Sequence, residues 1–240
     1  MKKFILITGA SSGIGYEMAQ QLAGLQFNLI LVARNADKLN IIQKTLMSQY
    51  DIEVHIFAKD LSSLQAAKDL YYDVKAENFI VSHLVNNAGF GAYGNFLNTD
   101  LENEINMINL NVNSLVILTK LFAQDMVERK EGRIMNVASL LSFIPFPYYS
   151  VYSATKTFVL AFSETIAEEL EDKGVVVSTL CPGPVETPFH TSEMRKTNAM
   201  IANKPMPVKV VAREGVNLLL RGKGKKIVGF NIWFFSNLQG

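Results

Sequence analysis

Seven short runs of aliphatic and β-branched residues recur along the chain, separated by longer segments with apolar residues three and four apart. The runs are KFILIT (3–8), NLILVA (28–33), EVHIFA (53–58), VSHLVN (81–86), RIMNVA (133–138), VVVSTL (175–180) and KIVGF (226–230). The amphipathic segments cover 14–24, 36–49, 62–77, 101–129, 150–172 and 208–220. The runs are continuously apolar rather than alternating, which suits strands of a parallel sheet buried on both faces. Strand and helix in regular alternation predict a doubly wound α/β fold with right-handed crossovers. We expect about seven parallel strands with helices on both faces, in a single domain over 1–240. A chain of 240 residues can bury a sizeable core as one domain. The least regular stretch, 182–207, is rich in proline and methionine.

The charge balance removes several function classes. With 23 basic and 22 acidic residues the net charge is +1, which gives no reason to expect nucleic acid or an anionic membrane as a partner. Cys181 is the sole cysteine, so no internal disulfide can form, and beside Pro182 it reads as a small apolar residue. His55, His83 and His190 stand apart from other ligand types, so no metal is expected. The apolar run Phe4 to Ile7 is too short for the ~7–15 residues of a signal-peptide core. No stretch reaches the ~18 uninterrupted apolar residues of a membrane span. The expectation is a cytoplasmic protein.

The first strand runs into TGASSGIG, with Gly9, Gly13 and Gly15 ahead of a helix that starts near Ile14. Glycines there permit a tight turn and close approach of backbone to a pyrophosphate, and the helix start offers free N–H groups and a partial positive charge. A ligand-free turn is the weaker reading, because three glycines cost conformational entropy that a simple turn does not require. The unit is therefore of Rossmann type. Its second strand ends in Ala33 and Arg34, where an NAD-selective site usually places an acid for the ribose hydroxyl. An arginine fork suits a 2′-phosphate instead. NADP(H) is expected, with Ser11, Ser12 and Asn35 as weaker polar contacts. The competing reading of Arg34 is a solvated surface residue.

YYSVYSATK, residues 148–156, places Tyr152 and Lys156 four apart, on one face of a helix. Reducing a carbonyl by hydride transfer leaves an alkoxide that needs a proton, and the donor works best with a pKa near the working pH. An ammonium beside a phenol lowers its pKa toward that range. Tyr152 is the expected acid, Lys156 the tuning cation, and Tyr148 and Tyr149 pocket wall. Ser139, thirteen residues before Tyr152, can hydrogen-bond the substrate oxygen, with Ser142 as a competitor.

TGASSGIG, NNAG at 86–89, Ser139 and YSATK at 152–156 together resemble the short-chain dehydrogenase/reductase family, in order and spacing, from Thr8 to Thr187. The resemblance favours Ser139 over Ser142. It implies that Asp60 holds the adenine amino group, although Asp60 or Ser62 could equally cap the helix expected at 62–77. It places Asn87, Ala88 and Gly89 beside the cofactor, with Asn87 also fixing the central strand. Among Asn106, Asn109, Asn111 and Asn113 it selects Asn111, to hold a water linking Lys156 to solvent. It sets Pro182, Gly183, Val185 and Thr187 of CPGPVET against the nicotinamide side, and implies that 182–207 covers a substrate. Leu140, Phe143, Phe146, Tyr149, Phe189 and Met194 become candidate pocket residues for an apolar carbonyl or alcohol. A homodimer or homotetramer is implied. Two alternatives follow: a 3-oxoacyl reductase whose carrier docks on Arg129, Lys130 and Arg133, and a dinucleotide-binding regulator without turnover. The aromatic terminus FNIWFFSNLQG suits a partner subunit or a membrane surface.

Overall fold

A computed structural model describes residues 2–187 and 204–229. Its seven strands are β1 (Lys3–Thr8), β2 (Asn28–Ala33), β3 (Val54–Ala58), β4 (Ile80–Asn86), β5 (Gly132–Val137), β6 (Val175–Pro182) and β7 (Gly224–Val228). They form one sheet in the order β3-β2-β1-β4-β5-β6-β7, with every pair parallel. The expected sheet is present. The last strand, however, begins two residues earlier than its apolar residues suggest: Lys225 and Lys226 pair with Thr179 and Leu180. At an edge, lysine costs little and blocks further pairing.

The helices are α1 (Gly13–Gly24), α2 (Ala36–Gln49), α3 (Leu64–Ala76), α4 (Leu101–Ile108), α5 (Leu115–Arg129), α6 (Ser150–Glu171) and α7 (Val208–Arg221). Helix α3 starts after Ser63, whose hydroxyl accepts the Ala66 N–H, so neither Asp60 nor Ser62 caps it. The segment expected as one helix over 101–129 is interrupted by a π-turn, Asn109–Ser114. By length and mean hydropathy (1.2) Leu101–Arg129 could cross a membrane. In this structure one face of its second half packs in the core: Leu115, Leu118, Phe122 and Met126 are buried, and Asp125 binds Tyr71 and Lys75 of α3.

Alternation along β1 sends Ile5 and Ile7 to one core and Phe4 and Leu6 to the other. The first core also holds Met18, Leu22, Leu39 and Leu219 from α1, α2 and α7. The second holds Leu70, Leu118 and Phe122 from α3 and α5. Strand order reverses between β1 and β4, which opens a crevice at the carboxyl ends of the strands.

The opposite end of the sheet accounts for two arginines. Arg129 donates to the Val81 carbonyl at 3.0 Å. Arg133 donates to the carbonyls of Leu219 and Gly222 at the end of α7. Both guanidinium groups donate to backbone, about 15 Å from the carboxyl ends of β4 and β5 at ~3.3 Å per residue. Arg129, Lys130 and Arg133 thus lie at the end of the sheet opposite the crevice.

His83 also sits at this end, opposite Arg133 on β5. Burial first, and then Arg133, lowers its pKa from 6.5 to about 4. The folded protein holds it neutral, and the unfolded chain takes up a proton below pH 6.5. Its contribution to stability is therefore present above 6.5 and is lost as pH falls toward 4. At pH 5 the loss should be about 2 kcal/mol at ~1.4 kcal/mol per unit. Urea midpoints at pH 7 and pH 5 check this, since His83→Phe should show a smaller drop than the wild type.

Candidate active site

The carboxyl ends of β1, β2, β4, β5 and β6 surround a cavity of about 580 Å³. At one end lies the glycine turn. Gly9 has φ 66°, and a Cβ there would stand 2.8 Å from Asn87 Nδ2 and 2.9 Å from the Ala88 Cα. Gly13 has φ 58°, and its Cβ would meet Thr187 Cγ2 at 3.3 Å. Both positions need glycine for conformation as well as space. Gly15 does not reach the cavity wall. A Cβ there would lie 2.5 Å from Asn87 Nδ2 and the Gly9 carbonyl, so this glycine lets α1 pack on the turn. Ser12 precedes α1 in extended conformation and makes no side-chain cap. The first N–H groups of α1 are thus without a side-chain acceptor there, as anion binding requires.

Thr8 and Asn87 weld the turn to the sheet. Thr8 Oγ1 accepts the N–H groups of Asn87 (3.0 Å) and Ala88 (2.9 Å) and donates to the Val85 carbonyl (3.2 Å). Asn87 Nδ2 donates back to the Thr8 carbonyl at 2.9 Å. The strand-fixing role expected for Asn87 is visible in these bonds.

Ser11, Arg34, Asn35, Lys38, Lys59 and Asp60 form the rim of this end. Asn35 is occupied as the cap of α2, accepting the Lys38 N–H at 2.8 Å. Asp60 accepts from the Ser62 N–H and hydroxyl at 3.0 and 2.8 Å. Lys38 and Lys59 were not singled out from the sequence. Lys38 is one turn beyond Arg34, a spacing that could have marked it. Lys59 follows β3, reaches the rim through sheet pairing, and is also bonded to Asp73 at 2.7 Å.

The other end is built by α6. Tyr152 and Lys156 are both buried on its inner face. The Tyr152 hydroxyl is hydrogen-bonded to Ser139. Ser139 caps the short turn Leu140–Ser142, with its Oγ accepting the Leu141 N–H at 3.2 Å. Ser142 instead donates to the Lys156 carbonyl at 2.8 Å, so it braces the turn against α6. That separates the two serines: Ser139 faces the cavity and Ser142 does not.

The electrostatics differ from the expectation. Burial pushes the Tyr152 phenol up to about 12, partly offset by the Ser139 hydrogen bond. Burial pulls Lys156 down to about 8. The ammonium donates to the Val137 carbonyl at 2.8 Å and lies 6.0 Å from the Tyr152 ring centre. Desolvation therefore outweighs any lowering of Tyr152 by Lys156 within the protein itself. Cys181, buried close by, has its thiol pushed up to about 12 and stays protonated, as an inert packing residue does.

Asn111 sits in the π-turn behind the wall and not on it. Its amide makes three hydrogen bonds. Nδ2 donates to the Phe90 carbonyl (2.9 Å) and Thr155 Oγ1 (3.1 Å), while Oδ1 accepts the Phe90 N–H (3.1 Å). A Cβ at Gly89 would lie 2.9 Å from Asn111 Oδ1 and 3.4 Å from Lys156 Nζ. The Asn111 side chain thus positions the strand-end loop and α6 relative to Lys156.

Phe90, Leu110, Leu140, Leu141, Ile144, Phe146 and Tyr149 line the cavity around Tyr152. Phe143 does not: it packs with Leu115, Ala138 and Val159, with Lys225 5.8 Å from its ring centre. Tyr148 also stays off the wall. Phe189 and Met194 lie outside the described residues, as do most of 182–207 and the aromatic terminus. Pro182, Gly183, Val185 and Thr187 border the cavity between its two ends. Among the described residues no group of acids, histidines and cysteines could hold a metal.

Residues 3–198 match the family model described as short chain dehydrogenase. The chain belongs to the short-chain dehydrogenase family. It is 34% identical to the very-long-chain 3-oxoacyl-CoA reductase of Homo sapiens, over 98% of this chain and 75% of that one. It is 34% identical to very-long-chain 3-oxoacyl-CoA reductase-A of Danio rerio, over 88% of this chain and 66% of that one. The chain thus spans about two thirds to three quarters of these relatives. Among solved structures, a short-chain dehydrogenase from Sphingobium yanoikuyae in complex with NADPH superposes with a TM-score of 0.87 at 26% identity. That match covers 100% of this chain and 93% of the other. The family, the fold and oxidoreductase chemistry on a nicotinamide dinucleotide follow.

The glycine turn generates a sharp expectation. Gly13→Val combines a disfavoured φ with crowding of Thr187 at the pyrophosphate approach. Titration calorimetry should show loss of dinucleotide binding in a variant that keeps its circular dichroism spectrum. Unchanged affinity would mean that the turn is not the phosphate site.

Proposed function

We propose that this enzyme reduces the ketone of an apolar 3-oxoacyl thioester with NADPH as hydride donor. The observation that carries the reading is one continuous cavity with two chemically distinct ends. Arg34 and Lys38 rim one end, and the Tyr152–Ser139 pair is enclosed by Phe90, Leu141, Ile144 and Phe146 at the other. The relatives' names support the substrate class.

The residues fit the dinucleotide on the chain's own geometry. Gly9 and Gly13 line the cavity in left-handed backbone that brings the turn to its wall, and Arg34 offers a fork for the 2′-phosphate with no acid at Ala33. Bound there, the cofactor supplies the hydride to the carbonyl carbon. The rest falls to the protein. Ser139 Oγ–H donates to the ketone oxygen and holds it beside Tyr152. Tyr152 O–H gives its proton to that oxygen as it gains negative charge, leaving a phenolate and an alcohol. Lys156, with a pKa near 8, carries a proton at pH 7 and stabilises the phenolate. Apolar walls exclude water and strengthen each of these interactions. Asn111 keeps Gly89 and α6 in register behind Lys156.

Two alternatives are weaker. A carrier protein docked at Arg129 and Arg133 would sit at the wrong end of the sheet. A regulator without turnover would not need the buried Tyr152–Ser139 pair.

Tyr152→Phe should abolish reduction of a 3-oxoacyl thioester while NADPH affinity survives, because the hydroxyl acts in proton transfer. Retained turnover would remove Tyr152 as the acid. Arg34→Ala should weaken NADPH binding by about tenfold to hundredfold, the worth of a charge-assisted hydrogen bond at ~1.5–3 kcal/mol, and leave NADH nearly unchanged. Screening of the exposed side chain sets the lower figure as the more realistic. Dissociation constants at one ionic strength decide it, and equal losses for both cofactors would refute Arg34 as the selector.

A further inference from the structure

Four of the large apolar side chains exposed on this protein fall within one stretch, 96–105, and a fifth, Tyr148, lies on the turn to which the start of that loop is bonded. Phe96 (61% exposed), Leu97 (87%), Leu101 (66%), Ile105 and Tyr148 (53%) lie on the loop after β4, the outer face of α4 and the turn before α6. Scattered single exposures are ordinary; a cluster calls for an occupant. This one is joined to the active site by a chain of aromatic rings. Tyr152 and Tyr149 have ring centres 6.2 Å apart, Tyr149 and Tyr93 5.0 Å, and Tyr93 and Tyr148 5.5 Å. The Gly94 N–H donates to the Tyr148 carbonyl at 2.9 Å, which ties the loop carrying Phe96 and Leu97 to this end of the rings.

Tyr148 adds a second, independent sign. Its φ is 68°, a left-handed conformation that a bulky residue adopts at a cost. Such strain concentrates at functional sites. Here it keeps an aromatic ring half exposed beside the cavity and not inside it.

Space points the same way. A cavity of about 580 Å³ is within the ~300–1,000 Å³ that a single ligand occupies. The dinucleotide would run from the Gly9 turn to Lys156, leaving room for a reacting head group and not for a long chain as well.

We infer that the acyl tail of the substrate leaves the cavity past Tyr149 and Tyr93 and lies along the exposed strip of Tyr148, Phe96, Leu97 and Leu101. This rests on the thioester reading above and adds where the tail goes. Phe96, Leu97, Leu101 and Tyr148 are apolar, and the charged residues Asp100, which caps α4, and Glu104, bonded to Thr99, lie in the same stretch of chain as the first three. That composition suits a hydrocarbon chain and gives an anionic lipid surface nothing to bind.

The test is the dependence of kcat/KM on acyl length, using the full chain with NADPH and 3-oxoacyl-CoA thioesters of short, medium and long chain below their micelle concentrations. A fully buried methylene is worth about fourfold. One side of an open strip should yield roughly twofold per methylene. The wild type should therefore gain steadily with length. Leu97→Asp and Tyr148→Asn should flatten that gain and leave the shortest thioester's rate nearly unchanged. Asparagine tolerates the left-handed φ, so Tyr148→Asn should fold at least as well as the wild type, and its thermal midpoint separates a tail contact from loss of structure. A wild type indifferent to chain length, or variants that keep the full gain, would overturn the inference. Vesicle binding lost in both variants with the length profile intact would give the strip to a lipid surface instead. A wild type that reduces none of the thioesters would fail the substrate reading itself.

Discussion

The Lys156 ammonium is buried where β5 ends, and the Val137 carbonyl at 2.8 Å is its hydrogen-bond acceptor. An amine taken out of water this far gives up part of its affinity for a proton, and burial brings its pKa to about 8. Much of the catalytic end is arranged around that one group. Ser142 bonds the Lys156 carbonyl and so sets the turn that aims Ser139. Gly89 keeps its side of the lysine free of any Cβ. Asn111, in a π-turn, ties the backbone of Phe90 to Thr155 of the same helix. An extra residue in the helical turn is a local cost that recurs at functional sites, and here it delivers an amide with three hydrogen bonds behind the wall.

A second polar layer holds α5 and α6 to the sheet beneath the site. Asn86 Nδ2 donates to Thr119 Oγ1 and to Asn136 Oδ1, each at 2.9 Å. Asn136 Nδ2 passes to Ser163 Oγ at 2.8 Å, and Ser163 closes on the Val159 carbonyl at 2.6 Å. Buried polar networks of this kind specify one arrangement, because a mispaired amide in a low-dielectric core is costly. The network joins α5 and α6 to β4 and β5, although the buried Asn86 Oδ1 has no partner in it.

What the sequence revealed divides along physical lines. Local spacing was readable: Tyr152 and Lys156 share a face because α-helices turn every 3.6 residues, and the glycine turn follows β1 directly. Continuously apolar strands announced a sheet covered on both faces. Features set by tertiary contact were not readable. Lys59 reaches the rim only because β3 lies beside β2, and Gly15 proves to be a packing glycine because α1 presses on Gly9. Phe143 points away from the cavity because the short turn after Ser139 rotates it toward Leu115 and Val159. The burial of both Tyr152 and Lys156 was not readable either, and in the protein alone it pushes the phenol up and the ammonium down.

That burial makes the central claim measurable. Within the protein alone burial pushes the Tyr152 phenol up to about 12, and the positive charge of an oxidised nicotinamide bound beside it would lower it in the proposed reaction. The direct measurement is an ultraviolet titration of tyrosinate, taken as the difference between wild type and Tyr152→Phe, with and without saturating NADP⁺. The account predicts a Tyr152 ionisation near pH 12 in the protein alone that moves down by several units with NADP⁺ bound. The same ionisation in both states, or one already near neutral without the cofactor, would contradict it.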